Sequence, residues 1–357
     1  MTNYNEIRRK SREIQIGKIA IGGEHPIAVQ SMVNVSGYEA VYAQMKELQD
    51  AGCDIIRMTV PDLEAAKVLS RLKESDITMP IVADIHFDYR MAIEAAMAGA
   101  DKIRINPGNI GSHDRVKAVV DVCRERNVPI RVGVNSGSLD KEKLNSFGRA
   151  SAEALAESAL ENVRLLEKYD FDKIVVAVKS SSPYTMAAAN RIISERCDYP
   201  IHLGVTEAGT KKGGILKSAA GIGGMLLSGV GDTIRISLTD RPVEEVKEGI
   251  ALLKSLSFYS KPCLDIVSCP TCGRTKIDII SIAGEFEEKT AAMQFSRNCK
   301  VAIMGCVVNG PGEAGDADFG IAGGVGEAVF FRRGKIVCKI PEEKIMETLL
   351  AELEQYK

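Results

Sequence analysis

The chain has 357 residues and a formal net charge of −2, with 45% hydrophobic residues, 26% charged residues and nine cysteines. This profile is typical of a globular protein with about two domains, and the slight negative charge argues against a dedicated nucleic-acid or membrane-surface binder. The N-terminus lacks the apolar core of a signal peptide and no long apolar span follows, so we expect a cytoplasmic protein without membrane association. In that reducing compartment the cysteines are expected to be buried thiols or metal ligands rather than disulfides.

Most of the chain, up to about residue 255, alternates short apolar runs with amphipathic segments. Near-continuous Val and Ile runs indicate parallel strands that helices cover on their outer face. The runs predicted as strands are 27–34, 53–60, 80–87, 102–109, 129–136, 173–180, 200–207 and 233–240. Eight such units predict an α/β fold over residues 1–256, a (β/α)8 barrel of the triosephosphate isomerase type. A doubly wound open sheet fits less well, because the evenly spaced units show no break.

The segments between these runs have helical periodicity. Val41, Met45 and Leu48 recur at helical spacing within 38–52, and Ser151 is placed to cap the helix predicted over 151–169. This alternation of strand and helix supports the barrel.

The pattern changes after the barrel. Residues 257–264 form a predicted linker, and 265–357 a small α+β domain. This domain is expected to contain a hairpin that turns at Arg333–Gly334. A final amphipathic helix is predicted over 341–355, with Pro341 in its first turn.

Charged and polar residues interrupt strand runs that a barrel core would normally keep apolar. The residues predicted to gather at one barrel mouth are Arg57, Asp84, His86, Arg104, Asn106, Arg131, Asn135, Lys179, His202, Thr206, Glu207, Arg235 and Ser237. Asp84 and Glu207 are too few to neutralise all the cations, and burying unpartnered cations is costly. We therefore predict that the mouth binds a polyanion, most simply a diphosphate.

The glycine-rich segment 209–224 follows the seventh predicted strand, where such barrels usually hold phosphate. Its backbone N–H groups, with Lys217 and Ser218 at a helix start, are predicted to add to phosphate binding. The alternative is a tightly packed Gly/Ala helix.

Cysteines in two loops of the second domain indicate a metal site. Cys269 and Cys272 form a C-x-x-C pair in a turn, and Cys306 follows an apolar strand and enters a Gly/Pro loop. A closed site needs a fourth ligand, and the candidates are Cys263, Cys299 and Glu313. The apolar strand would hold Cys299 far from Cys306, whereas Glu313 shares the loop of Cys306 and suits a catalytic centre. Spacing alone leaves structural zinc and an iron–sulfur cluster equally open.

Seven segments together resemble one protein family. They are VADIHFDYR (82–90), RINPGNIG (104–111), RVGVNSGSL (131–139), HLGVTEAG (202–209), GDTIRISL (231–238), CPTCGR (269–274) and GCVVNGPGE (305–313). In this order they resemble the bacterial 4-hydroxy-3-methylbut-2-enyl diphosphate synthases of the non-mevalonate isoprenoid pathway, in the shorter two-domain form.

The resemblance implies a cofactor, a reaction and partners. It implies a [4Fe-4S] cluster with four ligands, matched here by Cys269, Cys272, Cys306 and Glu313. It implies reductive ring opening and dehydration of 2-C-methyl-D-erythritol 2,4-cyclodiphosphate, with two electrons from flavodoxin or ferredoxin. It also implies a head-to-tail homodimer, in which the cluster domain of one chain closes the barrel of the other so that the active site is shared.

The residues and the resemblance together suggest roles. We expect the mouth cations to bind the cyclic diphosphate and Glu207 to donate the proton that departs with water, with Asp84 and His86 as its partners. The alternative is a non-redox, phosphate-binding barrel synthase, for example of the pterin type, with an appended structural zinc domain. A cysteine domain that recognises nucleic acid is disfavoured by the acidic composition.

Overall fold

The protein is described by a computed structural model, which covers residues 4–138, 151–291, 293–307 and 314–357. The chain divides into two compact units, Met1–Phe258 and Tyr259–Lys357. Among the described helices, none combines the length and apolar character needed to cross a bilayer.

The first unit is a parallel barrel. Its strands are β1 (Ile14–Ile16), β2 (Ile19–Ile21), β3 (Ala28–Met32), β4 (Ile55–Thr59), β5 (Ile81–Asp84), β6 (Lys102–Ile105), β7 (Ile130–Asn135), β8 (Ile174–Lys179), β9 (His202–Leu203) and β10 (Thr233–Ile234). Strands β3 to β10 form one sheet in the order β8-β7-β6-β5-β4-β3-β10-β9. Parallel bridges from Val176 to Ile201 and from Ser180 to Val205 join its two ends. The predicted eight-stranded barrel is therefore confirmed.

Two of the predicted strands are much shorter than their apolar runs. β9 and β10 have two residues each. The chain nevertheless stays beside its neighbours, since Thr206 N donates to Ser180 O at 3.1 Å and Arg235 N donates to Leu203 O at 3.0 Å. Regular pairing stops after Leu203 and after Ile234, and the backbone continues along the barrel wall.

Helices surround this barrel. They are α1 (Tyr4–Ile7), α2 (Tyr38–Asp50), α3 (Leu63–Lys73), α4 (Tyr89–Met97), α5 (Pro107–Ile110), α6 (His113–Glu125), α7 (Ala152–Glu167), α8 (Pro183–Arg196), α9 (Lys211–Ser218), α10 (Gly224–Leu227) and α11 (Pro242–Ser255). The apolar face of α2 is buried at Val41, Met45 and Leu48, as predicted. Ser151 caps α7 by accepting a hydrogen bond from Ala154 N, also as predicted.

The glycine-rich segment differs from its prediction. Lys217 and Ser218 lie at the last residues of α9, which continues into a π-helix over Ala219–Gly223, so their predicted place at a helix start is wrong. A Cβ atom added at Gly221 would lie 2.9 Å from side-chain atoms of Met186 and Val205. The glycines therefore allow close helix packing, which was the alternative interpretation.

An N-terminal hairpin closes the amino end of the barrel. β1 and β2 pair in antiparallel register, and Ile16 and Ile21 are fully buried. They belong to one apolar cluster with Ile55, Val82 and Val175, the first inward residues of the barrel strands. Sequence analysis did not identify this hairpin, because its three-residue strands are too short for a recognisable period.

The second unit contains a mixed sheet. Its elements are β11 (Leu264–Ser268), β12 (Cys299–Met304), β13 (Phe319–Gly323), β14 (Glu327–Arg332), β15 (Lys335–Pro341), α12 (Ile279–Thr290) and α13 (Ile345–Leu353). β11, β12 and β13 are parallel, and β14 and β15 continue the sheet in antiparallel order. Side chains of α12 and α13 pack with one face of this sheet in the main core of the unit.

The C-terminal predictions are partly right. The β14–β15 hairpin turns at Arg333 and Gly334, as predicted, with φ angles of 45° and 72° that suit a tight hairpin turn. The final helix starts later than predicted, because Pro341 still pairs with Glu327 at the end of β15. A proline is tolerated there since β15 is an edge strand. A 3-10 turn over Glu342–Lys344 then leads into α13.

Candidate functional site

A cavity of about 220 Å³ lies among side chains at the carboxyl ends of the barrel strands, and we call it the barrel cavity. Its lining residues are Arg57, Asp84, His86, Arg104, Asn106, Asn109, Arg131, Gly133, Asn135, Ala177, Lys179, Thr206, Arg235 and Ser237. Every residue predicted for the mouth is among them except Glu207 and the fully buried His202.

Strand geometry explains how these side chains meet. Alternate residues of a strand point to the same side, so Arg131, Gly133 and Asn135 of β7 all face the barrel interior. Glycine makes room for one neighbouring cation, since a Cβ atom at Gly133 would lie 2.5 Å from Arg104 Nε. The sequence carried a signal for this residue, because glycine inside a strand often marks a close approach.

Asp84 organises two of the cations. Its Oδ1 lies 3.1 Å from Arg104 Nη1 and its Oδ2 lies 3.5 Å from Arg57 Nε. Burial opposes ionisation of this carboxyl, but Arg57, Arg104, Arg131 and His86 outweigh that effect and lower its pKa. Asp84 is therefore an anion that fixes the positions of the arginines.

Glu245 is a carboxylate that sequence analysis did not anticipate. It lies in the first turn of α11, and its two oxygens accept from Arg235 Nε and Nη2, each at 3.1 Å. It also accepts from Ser31 Oγ and Leu238 N at 3.1 Å. The sequence held no specific signal, because a Glu in the first turn of a helix is common for electrostatic reasons alone.

Arg131 and Lys179 leave the barrel cavity with an excess of positive charge. Arg131 is 1% exposed and Lys179 is 8% exposed, and in the described part of the chain neither lies within 4.0 Å of a carboxylate. Arg131 Nη1 donates to Gln30 Oε1 at 2.9 Å. Burial and the neighbouring cations lower the pKa of both side chains. A polyanion is the ligand that such a site suits best.

Of the three residues predicted to deliver the proton, Asp84 and His86 line the barrel cavity and Glu207 does not. His86 lines the barrel cavity and its Nε2 lies 3.6 Å from Asp84 Oδ2. Glu207 follows the lining residue Thr206, but its side chain is exposed and does not line the cavity. Its φ of 52° is in the left-handed region, which is uncommon for a residue with a side chain.

A second cavity, in the C-terminal unit, brings the three predicted cysteine ligands together. It has a volume of about 500 Å³ and we call it the thiol cavity. Its lining residues are Cys269, Pro270, Cys272, Gly273, Arg274, Met304 and Cys306. Because β11 and β12 are parallel neighbours, the loops that follow them meet at one edge of the sheet. The C-x-x-C pair and Cys306 therefore line the same cavity.

Backbone N–H groups surround these sulfurs. Gly305 N donates to Cys269 Sγ at 3.2 Å. Hydrogen bonds from the Arg274 backbone and from Thr275 lower the pKa of the Cys272 thiol, which favours the thiolate that binds metals. Three soft sulfur donors around one cavity fit zinc or an iron–sulfur cluster.

The fourth predicted ligand, Glu313, lies outside the described residues. Within the described ranges, no three Cys, His, Asp or Glu side chains lie close enough to hold one metal ion. The other two candidates do not line the thiol cavity. Cys299 begins β12 inside the main core, and Cys299 N donates to Cys263 O at 3.0 Å. The separation expected between Cys299 and the thiol cavity is thus observed.

Comparison with known proteins gives one family for both units. Residues 11–250 match the family model described as GcpE TIM-barrel domain, and residues 265–355 match the one described as GcpE protein C-terminal domain.

Curated relatives cover nearly the whole chain. Two are proteins of Clostridium perfringens (strain 13 / Type A) and Caldanaerobacter subterraneus subsp. tengcongensis, both named 4-hydroxy-3-methylbut-2-en-1-yl diphosphate synthase (flavodoxin). The first is 52% identical and covers 97% of this chain and 99% of its own length. The second is 52% identical and covers 98% of each chain.

Two solved structures with a similar fold each cover about 70% of this chain. The dihydropteroate synthase of Thermus thermophilus covers 69% of this chain and 99% of its own, with a TM-score of 0.51 and 14% identity. A truncated 3-deoxy-D-arabino-heptulosonate 7-phosphate synthase of Thermotoga maritima covers 70% and 94%, with a TM-score of 0.50 and 18% identity. At these identities the similarity shows the fold and carries no information about the reaction.

Proposed function

The chain belongs to the GcpE family, and we propose that it catalyses reductive ring opening and dehydration of 2-C-methyl-D-erythritol 2,4-cyclodiphosphate to 4-hydroxy-3-methylbut-2-enyl diphosphate. It is an enzyme, since its curated relatives are named as the synthase of that product. The observation that carries the substrate assignment is the barrel cavity, where five cations converge and Arg131 and Lys179 have no carboxylate partner among the described residues.

The roles in substrate binding follow from the chemistry of the side chains. Arg131 and Lys179 attract the diphosphate most strongly, because neither forms an ion pair with a carboxylate of the described residues. Arg57 and Arg104 are held in place by Asp84, and Arg235 by Glu245, so their donors are oriented before the ligand arrives. Asn135, Thr206 and Ser237 supply uncharged hydrogen-bonding groups around the ligand.

The departing hydroxyl needs a proton, and Glu207 remains our candidate donor with Asp84 and His86 as its partners. Its support is its position directly after Thr206, together with a carboxyl that reaches solvent and can be reprotonated. The Glu207→Gln variant should bind substrate normally and lose most turnover. Full activity would remove Glu207 from this role, and His86→Gln would then test the residue that does line the cavity.

For the cofactor we propose a [4Fe-4S] cluster held by Cys269, Cys272, Cys306 and Glu313. When bound, such a cluster supplies the two electrons that ring opening requires, taken from flavodoxin or ferredoxin. Support comes from the shared thiol cavity and from the lowered pKa of Cys272. The word flavodoxin in the names of the relatives supports that electron donor.

We also propose a cytoplasmic homodimer in which the cluster domain of one chain completes the barrel site of its partner. The last barrel helix, α11, leads back to the amino end of the barrel, opposite the barrel cavity. The chain therefore leaves the barrel at the end opposite the barrel cavity, which supports a site shared between two chains.

The proposed function is tested by turnover under anaerobic conditions. Protein purified without air is supplied with reduced flavodoxin and the cyclodiphosphate, and product formation is measured. The Arg131→Ala variant should raise KM strongly or abolish turnover while its visible spectrum stays that of the wild type. A wild-type protein that is colourless, contains zinc and forms no product would instead favour the non-redox barrel synthase.

A further inference from the structure

Beneath the barrel cavity, the barrel interior contains a second set of polar side chains, which we call the polar layer. It consists of Gln30, Lys102, Arg131, His202 and Thr233, each at most 1% exposed. Arg131 Nη1 donates to Gln30 Oε1 at 2.9 Å, and His202 Nδ1 lies 2.7 Å from Thr233 Oγ1. Arg131 belongs to both sets, so the polar layer is in direct contact with the ligand site.

Gln30 Nε2, Arg131 Nε and His202 Nε2 have no partner among the described residues, but each of these side chains makes a hydrogen bond through another atom. Lys102 differs because its single polar side-chain atom is the one without a partner. It lies two residues before Arg104 on the inward face of β6, so its Cα is roughly 7 Å deeper in the barrel. Its side chain is 0% exposed, and in the described part of the chain its Nζ has no hydrogen-bond partner. Buried polar atoms without partners are rare, and a buried ammonium ion without a counter-ion is costly.

The groups around Lys102 increase that cost. Among the described residues, the charged or titratable side chains that face the interior or its cavity are Arg57 of β4, Asp84 of β5 and His86 after it, Arg104 of β6, Arg131 of β7, Lys179 of β8, His202 of β9, Arg235 after β10, and Glu245 of α11. Asp84 is engaged by Arg57 and Arg104, and Glu245 by Arg235. Burial first, then Arg131 and Arg57, lower the pKa of Lys102 well below its ordinary value.

His202 is a less suitable proton acceptor. Burial and the cations Lys179, Arg131, Lys102 and Arg57 lower its pKa as well, from an ordinary value that is already near 6.5. An imidazole whose pKa is lowered from that value stays neutral at neutral pH. The ordinary pKa of a lysine amine is about four units higher than that of an imidazole.

Burial and neighbouring cations lower the pKa of two amines in the barrel, Lys102 and Lys179. Lys179 reaches the barrel cavity and can contact the ligand directly, whereas Lys102 is fully buried beneath it and can respond to the ligand only by gaining a proton.

We propose that Lys102 is a proton-uptake site coupled to substrate binding: its amine is neutral in the free enzyme and becomes an ammonium ion when a diphosphate occupies the barrel cavity. The inference rests on the proposed function for the identity of that anion. The physical cause is direct, since the negative charges of the ligand offset the repulsion that Arg131 and Arg57 exert on a charged Lys102. The bound proton in turn strengthens the attraction for the ligand.

The sign of the pH dependence follows from linkage. Lys102 has a higher pKa in the complex than in the free enzyme, so its contribution to affinity is complete below the free-enzyme pKa. It declines as the pH rises through the pKa of the complex, by at most about tenfold per pH unit.

The test is isothermal titration calorimetry of the anaerobic holoenzyme with the cyclodiphosphate, without reductant, in three buffers of different ionisation enthalpy. Each phosphorus of the cyclic ligand has one ester bond and one anhydride bond and a single strongly acidic oxygen, so it exchanges no proton near neutral pH and proton uptake belongs to the protein. The wild type should take up a substantial fraction of one proton per chain, and Lys102→Met should lose most of it. Lys67→Met is the matched control, because Lys67 is exposed and paired with Glu64.

Each result decides the question. The inference is overturned if the wild type takes up no proton, or if the wild type and Lys102→Met take up equal numbers of protons. It is also overturned if His202→Gln loses the proton uptake and Lys102→Met keeps it. Lys102→Gln repeats the comparison if the methionine variant does not fold. If the cyclodiphosphate does not bind at all, the proposed function is wrong. The titration is then repeated with inorganic pyrophosphate, and equal proton uptake by the wild type and Lys102→Met overturns the inference.

Discussion

Asp84 places one negative charge between cations that would otherwise repel one another. The side chain is 2% exposed and contacts Arg104 at 3.1 Å and Arg57 at 3.5 Å. Removing one partner of a buried ion pair leaves the other charges without compensation. The stability of the barrel unit should therefore depend on this carboxylate.

Asp84→Asn is expected to lower the free energy of unfolding by about 3–5 kcal/mol at neutral pH. The folded protein lowers the pKa of Asp84, so its contribution is complete above the unfolded value of about 4 and is lost as the pH falls through the folded-state pKa. Denaturant titrations from pH 3 to pH 7 measure the difference. Asp198→Asn, at an exposed pair with Arg12, should cost no more than about 1 kcal/mol.

The barrel cavity requires a residue without a side chain at Gly133. In Gly133→Ala the new Cβ would lie 2.5 Å from Arg104 Nε, so the guanidinium must move. A displacement of that size should lower kcat/KM by about 10- to 100-fold through a higher KM. Gly284→Ala is the control, since an added Cβ there meets no atom within 4 Å. Equal kinetics of the two variants would show that the position of Arg104 is not important for binding.

At the scale of elements, one ion pair joins a helix to the barrel wall. Glu245 in the first turn of α11 binds Arg235, which follows β10, through both carboxylate oxygens. The pair is shielded, with Glu245 5% exposed and Arg235 16% exposed. It fixes where the last helix begins and also where a cavity cation points.

Glu245→Ala should lower the free energy of unfolding by about 3–5 kcal/mol, because Arg235 would be left buried and uncompensated. Adding Arg235→Met should recover part of that loss, with an interaction energy of about 0.5–3 kcal/mol in the double-mutant cycle. The neighbouring Glu244→Ala removes only partly exposed pairs with Lys211 and Lys247 and is the control. Strictly additive effects would contradict a direct coupling between Glu245 and Arg235.

Elements with a strong local pattern were predictable from the sequence. The Val/Ile runs identified all eight barrel strands, because a strand buried on both faces requires apolar residues at nearly every position. The turn at Arg333 and Gly334 was recognisable because few residue types tolerate positive φ. Where tertiary contacts override local preference the predictions were wrong, as at Pro341, which pairs at a sheet edge, and at Lys217, which ends a helix.

The barrel cavity was largely predictable and its supporting residues were not. Polar residues at strand ends are conspicuous against an apolar run, so eleven of the thirteen predicted mouth residues line the cavity. Glu245 and Lys102 were missed for opposite reasons. Glu245 comes from a helix that is distant in sequence, and Lys102 is at the start of its strand, where a lysine is normally solvated.

At the scale of the whole molecule, a shared active site makes a prediction that a self-contained chain does not. Cys306→Ser lacks a predicted cluster ligand, and Arg131→Ala lacks a substrate cation. Each variant alone should be nearly inactive. After mixing and subunit exchange, up to about a quarter of the wild-type activity should return, because mixed dimers contain one intact site of two. No recovery under conditions of proven exchange would place each site within one chain.

We expect a reduced iron–sulfur centre in the C-terminal unit to act on a cyclic diphosphate held by the cations of the barrel cavity. The most direct measurement is the electron paramagnetic resonance spectrum of the anaerobically reduced protein, recorded with and without the cyclodiphosphate. We predict a cluster signal that changes when the ligand is added to the wild type and does not change in Arg131→Ala. A reduced protein with no signal and a single zinc ion per chain would contradict the account.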